Sequence, residues 1–299
     1  MAVNKPFSLN SERLCRFYAK ELNLYGGRIR VGNLDISACR RDIENYLGNL
    51  ERVIRKQFED RLTKAAKEKL LSSQELNWIK EDEHCCHWAW GFLKESTPST
   101  IGLSVIDATR LNINMGSVFS DLVGTEIPSD KEQRFHQIVT FLDGLPDGIE
   151  QARFVHSIIK KHWASEPSLG SKKDPLKWLE KENRGQCDWA WDYINGSEIP
   201  CGAYNPLTSK DRFYCVKVAY SLWNVHPDRK TLFIQGFRRA WSQKKFREQQ
   251  SSKDILNTYI DKEAKIKLKK MSAIRNVKMN ELIEILINEE YERIRKTTM

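Results

Sequence analysis

The stretch Cys86-His87-Trp88-Ala89-Trp90-Gly91-Phe92-Leu93 recurs further along as Cys187-Asp188-Trp189-Ala190-Trp191-Asp192-Tyr193-Ile194. Four more blocks repeat around it. Trp78-Ile79 matches Trp178-Leu179, and Gly124-Thr125-Glu126-Ile127-Pro128 matches Gly196-Ser197-Glu198-Ile199-Pro200. Arg134-Phe135 matches Arg212-Phe213, and Lys160-Lys161-His162-Trp163 matches Arg238-Arg239-Ala240-Trp241. The blocks keep the same order in both copies, which is the mark of an internal duplication. The first copy carries extra residues between Leu93 and Gly124, the second between Pro200 and Arg212.

The repeated unit has a helical period. Phe154, Val155, Ile158, Ile159 and His162 recur at three- and four-residue spacing, as do Phe233, Phe237 and Trp241 in the second copy. Each copy is therefore expected to supply an apolar tryptophan cluster and one basic helix end. Ser/Pro/Gly-rich breaks fall at 96–99, 165–175, 196–206 and 249–252. Upstream, 40–69 forms one long amphipathic stretch through Ile43, Leu47, Leu50, Ile54, Phe58 and Leu62. A tryptophan pair can stack on bases, but Trp88 and Trp90 stand among aliphatic residues, and core packing is the expectation.

The composition excludes several classes. The chain has 299 residues, of which 40% are hydrophobic and 30% charged, so a disordered, collagen-like or disulfide-scaffold protein is not expected. No run of 18 apolar residues exists, and 1–10 lacks an apolar leader core. Seven scattered cysteines read as reduced thiols, which points to a cytoplasmic protein with no membrane partner. The run His84-Cys85-Cys86-His87 invites a zinc reading, but adjacent residues need a second ligand pair to close a tetrahedron. The other copy offers Cys187 alone, so no metal and no cofactor are expected. Walker, Rossmann, nucleophile-elbow and HExxH patterns are absent. The acidic run Glu81-Asp82-Glu83 becomes Lys181-Glu182-Asn183 in the second copy. The chain is thus not expected to be an enzyme, a nuclease with dispersed carboxylates being the remaining alternative.

Charge is unevenly placed. The net charge is +9, yet the window 227–280 holds fifteen basic and five acidic residues, a local +10 that leaves −1 for the rest. A local basic excess is the electrostatic footprint of polyanion binding. Within this window, 237–247 reads as a basic amphipathic helix. After it, Ile255-Leu256-Asn257-Thr258-Tyr259-Ile260 alternates like a short strand. Asp261 is placed to cap a helix over 262–275, with Ala264, Leu268, Met271 and Ile274 on its apolar face. Asn276 suits a left-handed turn residue. A second helix is expected from about 279 to 294, with Leu282, Ile283, Leu286 and Ile287 on its apolar face and Tyr291 and Ile294 continuing it.

A lone strand with two short helices cannot bury its own apolar face. In its spacing this segment, about 253–294, resembles the ribbon-helix-helix family of DNA-binding proteins. The layout of helical domain, basic helix and ribbon is similar to the bacterial macrodomain Ter organiser family, over roughly 236–292. The resemblance implies a homodimer through 253–294 whose paired strands enter the major groove of a palindromic or near-palindromic duplex. It places Ile255, Asn257 and Tyr259 at the bases, and Leu256, Thr258 and Ile260 in the dimer core. Most members carry Arg, Lys, Gln or Asn where Ile255 and Tyr259 stand. It places phosphate contacts at the second helix start, Lys278 and Asn280. The basic charge adds Arg238, Arg239, Lys244, Lys245, Arg247 and Lys253 as phosphate ligands.

The expected architecture is mainly α. It comprises an N-terminal helical region (1–75), two tryptophan-rich units (76–164 and 176–248), and a ribbon-helix-helix domain of one strand and two helices (253–299). The expected function is sequence-preferring binding of double-stranded DNA as a homodimer, nucleoid-associated, in transcription regulation, partition or chromosome organisation. A protein partner for the N-terminal helical region is left open. The alternative is a protein-interaction scaffold whose tryptophan repeats bind a partner and whose C-terminal segment only dimerises.

Overall fold

A computed structural model describes residues 7–29, 36–103, 109, 118–145, 148–249 and 256–297. Among these residues there are thirteen helices. The first three are α1 (Glu12–Asn23), α2 (Ile36–Gly48) and α3 (Arg52–Lys69). The first copy of the repeat contains α4 (Ser73–Glu81), α5 (Glu83–Glu95), α6 (Val118–Val123), α7 (Lys131–Asp143) and α8 (Ile149–Trp163). The second contains α9 (Arg184–Asn195), α10 (Ser209–Leu222) and α11 (Pro227–Gln249). The chain ends with α12 (Lys262–Arg275) and α13 (Met279–Thr297). Two compact units result, Met1–Phe237 and Arg238–Met299.

Short polar side chains set many of the helix starts in the first unit. Ser72 and Glu75 form a reciprocal capping box at α4: the Ser72 hydroxyl accepts from the Glu75 amide, and the Glu75 carboxylate accepts from the Ser72 amide. Asp82 accepts from the amides of His84 and Cys85 at α5, and Asp130, Asn183 and Thr208 cap α7, α9 and α10 in the same way. The amphipathic stretch 40–69 is not one helix. It breaks after Gly48, where α2 ends, and resumes as α3.

Helix α5 is the axis of this unit. Every residue from His84 to Leu93 is buried, so the helix has no solvent face over those ten positions. It packs against α4, α6, α7, α8 and α10. The order α5, α7, α8 in the first copy is repeated by α9, α10, α11 in the second. Trp88 meets Trp163 of α8 at 5.6 Å, and Trp189 stacks on Phe237 of α11 at 5.2 Å. One continuous apolar core runs through both copies, from Leu71 to Phe237. Helices α1–α3 enclose a smaller cluster around Cys15, Leu22, Ile43 and Leu47. Arg13 of α1 clamps Asp143 of α7 with two hydrogen bonds of 2.7 Å and donates a third to the Leu71 carbonyl.

The second unit contains a helical hairpin. The Asp261 side chain accepts from the Glu263 amide at the start of α12. Asn276 sits in the left-handed region at φ 51°, and the Val277 amide reaches back to the Ser272 carbonyl at 3.1 Å, closing the helix with a Schellman-type turn. Helix α13 then begins at Met279, as the spacing predicts.

The expected strand is not formed. The described residues contain no strand, and 256–260 is irregular and exposed throughout. Leu256 and Ile260, expected in a dimer core, are 67% and 48% exposed. A strand is stabilised by a neighbour that pairs its amides and carbonyls, and no such neighbour lies among the described residues. The ribbon-helix-helix fold class is corrected accordingly: the C-terminal unit is helical, and Ile255 and Lys253 lie outside the described residues.

Gly91 gives a sharp test of the core around α5. A Cβ built there would stand 2.7 Å from Tyr204 Oη and 2.9 Å from Val218 Cγ1. Tyr204 is held in place by its hydrogen bond to Glu95 at 2.8 Å. Helix propensity alone favours alanine by about 1 kcal/mol. Overpacking outweighs this, so Gly91→Ala is expected to lower unfolding stability by about 1–3 kcal/mol in urea titration. A variant as stable as the parent would show that α5 and α10 are not in close contact.

Candidate nucleic-acid interface

The cationic side chains assigned from sequence fall on two elements of the second unit. Arg238, Arg239, Lys245 and Arg247 are exposed on the last turns of α11, and Lys244 is half-buried and pairs with Glu248. Lys245 lies over the Trp241 ring at 5.9 Å. Arg239, Ser242, Gln243, Phe246 and Arg247 share one stripe of α11 at helical spacing, and Phe246 is 64% exposed within it. Two arginines flanking an exposed aromatic ring combine charge with a flat apolar surface.

Lys278 and Asn280 stand at the start of α13, both exposed. The Lys278 amide, just before that helix, donates to the Glu281 carboxylate at 3.2 Å, so an acidic side chain already stands at the helix start. Asn257 and Tyr259 are both exposed in the irregular segment before α12, and Tyr259 is wholly open to solvent. The residue roles assigned from sequence passed over α12 itself. Lys262, Lys265, Lys267, Lys269 and Lys270 are all exposed on it. Their signal was present in the charge distribution but was masked by the apolar period of the same helix.

The tryptophan motif belongs to the core. All nine tryptophans are buried or half-buried, and the indole of Trp88 donates to Ser221 Oγ while that of Trp90 donates to Gln137 Oε1. The His84-Cys85-Cys86-His87 run is buried in the first turn of α5. Burial pushes the Cys86 thiol up to about 12, and raises that of Cys85 as well. Burial also pulls the His84 imidazole down to about 4. Among the described residues no group of three or more His, Cys, Asp or Glu is placed to hold a metal ion.

His87 and Arg134 form a polar cluster with Asp211 inside the first unit. His87 Nδ1 donates to the Glu83 carbonyl at 2.9 Å, and its Nε2 faces Asp211 Oδ1 at 3.4 Å. Arg134 Nη2 lies 3.6 Å from the same oxygen. Burial raises the Asp211 carboxyl, but the contacts from His87, Thr208 and Arg134 outweigh it and hold the group below its usual range. Burial is also the main reason that the His87 pKa is lowered.

No family model, no curated protein and no solved structure matches this chain. No helix among the described residues is long and apolar enough to cross a membrane.

The buried histidines set a pH response with a definite sign. His84 and His87 have folded pKa values below the ordinary value of about 6.5. Below that pH the unfolded chain binds protons that the folded chain refuses, so stability is full above pH 6.5 and falls as pH drops toward 4. The His84 shift alone corresponds to about 3 kcal/mol. Asp211 acts in the same direction only lower down, once pH falls through the carboxylate range. Urea titrations at pH 7 and near pH 4.5 are expected to show a steeper loss for the parent than for His84→Phe. Equal losses would refute the assignment.

Proposed function

We propose that the chain binds double-stranded DNA as a homodimer, through cationic side chains of its C-terminal unit. The observation that carries this reading is the confinement of excess positive charge to 227–280, with its side chains displayed on the end of α11 and on α12. Arg238, Arg239, Lys244, Lys245 and Arg247 contact phosphates and fix position; Asn257 and Tyr259 are the base-contacting side chains.

Homodimerisation is supported by the thin core of this unit. Leu282 is the one buried apolar side chain among the described residues of 238–299. Ile266, Ile274, Ile287 and Tyr291 are 56%, 84%, 55% and 65% exposed. A second copy covers part of that surface, and a two-fold protein favours two-fold DNA. The process served is transcription regulation, partition or chromosome organisation at the nucleoid.

Selection from a random duplex pool with the full chain tests the reading. A near-palindromic motif is expected to be enriched. Asn257→Ala should relax the preference at one base position by about 1–3 kcal/mol. The double change Arg238→Ala/Arg239→Ala should weaken all duplexes alike and reduce the salt slope by about one for each phosphate that is no longer neutralised. A chain that enriches no motif, and whose weak binding ignores these changes, would refute the reading.

A further inference from the structure

The linker between the two copies borders a cavity in the first unit. Residues 166–176 lie beside α10 and the start of α11 and border an open cavity of about 300 Å³. His84, Lys173, Lys217, Tyr220, Ser221 and Lys230 line it. This volume is at the lower end for a small-molecule site.

Two buried polar groups on its wall have hydrogen-bonding capacity to spare. Lys217 is 5% exposed, and its ammonium donates to Asp174 Oδ2 at 2.8 Å and to the Leu176 carbonyl at 3.2 Å. An ammonium has three N–H donors, so one is left. Asp174 is itself engaged, since it also accepts from the amides of Gly170 and Leu176. His84 is 7% exposed, and its ring meets Trp163 at 5.1 Å and Tyr214 at 6.1 Å. Among the described residues its imidazole has no hydrogen-bond partner, so its ring nitrogens remain available on the cavity side.

The remaining wall is cationic. Lys230 donates to the Ser221 carbonyl at 2.9 Å and lies over the Tyr220 ring at 5.3 Å, which leaves two donors. Lys173 is exposed at the rim. Against these three ammonium groups stand Asp174, which is committed to Lys217 and the linker, and Glu166. With His84 neutral, the cavity keeps a net positive charge and N–H donors from three separate elements. A planar carboxylate offers two acceptor oxygens, whereas a phosphoryl group offers three and a tetrahedral arrangement that suits donors converging from several directions.

We propose that this cavity binds a small phosphomonoester or inorganic phosphate, with the phosphoryl group received by Lys217, Lys230 and the His84 imidazole. The ligand then stitches the inter-repeat linker to α5, α10 and α11. Binding to the folded state alone raises the unfolding midpoint as ligand is added.

The test uses the full chain and inorganic phosphate as the probe. Thermal unfolding is followed against phosphate at constant ionic strength, with acetate and chloride in parallel. A saturable rise of the midpoint is expected with phosphate and not with the other two. Lys230→Met is expected to weaken the apparent affinity by about tenfold, the scale of one charge-assisted hydrogen bond, and Lys173→Met, at the exposed rim, by less. Neither change strands Asp174, as a Lys217 variant would. The ¹⁵N signals of the His84 imidazole should shift during the same titration, and glycerol 3-phosphate should reproduce both effects. A rise shared equally by acetate, an unchanged affinity in both variants, or a silent His84 imidazole would overturn the proposal.

Discussion

A helix with no solvent face places a strict demand on everything around it. From His84 to Leu93, α5 presents histidine, cysteine, tryptophan and glycine to the interior in every direction, and five other helices are needed to cover it. Apolar burial on this scale supplies the main driving force for the first unit. It also explains why polar atoms on α5 are matched so closely. Trp88 and Trp90 each find an acceptor, and His87 is tied to its own helix through Glu83. His84, whose ring has no such tie, faces the cavity under the linker.

The C-terminal unit lives by a different balance. Its helices form from local signals: an aspartate cap, a left-handed asparagine and the Lys278 amide donating to the Glu281 carboxylate. Such signals contribute about 1 kcal/mol each and do not substitute for a core. Lysines crowd α12, while glutamates are frequent on α13, and Arg275 reaches across to Glu289. Charge and thin packing together make this unit the part of the chain best suited to act on something outside itself.

How much was legible in the sequence depended on whether local or distant residues decide each element. The bounds of α12 were readable to the residue, because Asp261, the apolar period and Asn276 all act within a few positions. The repeated blocks are visible in the sequence itself, and the order α5, α7, α8 recurs as α9, α10, α11. The strand at 255–260 was not readable, since alternation of side chains describes what a strand would need and not whether a partner is present. The break in 40–69 was missed for a related reason: Leu50 and Ile54 continue the apolar period across it, although Gly48 ends the helix. At the site, the basic residues were visible as charge, and the structure adds the stripe that sets Phe246 between Arg239 and Arg247. The Lys217–Asp174 pair had no sequence signal, because its partners are brought together only by the fold of the linker.

The two copies also differ at one position that ties them together. In the second copy Arg212 is neutralised by Asp188 at 2.8 Å, a partner from the same copy. The equivalent arginine of the first copy, Arg134, has His87 at the position of Asp188 and turns to Asp211 of the second copy. Arg134 is 5% exposed, and its Nε and Nη1 have no hydrogen-bond partner among the described residues, so it has little to fall back on. The arginine of the first copy therefore depends on the second for its counter-ion, and neither half can be lifted out, reordered or grafted elsewhere without stranding a buried charge.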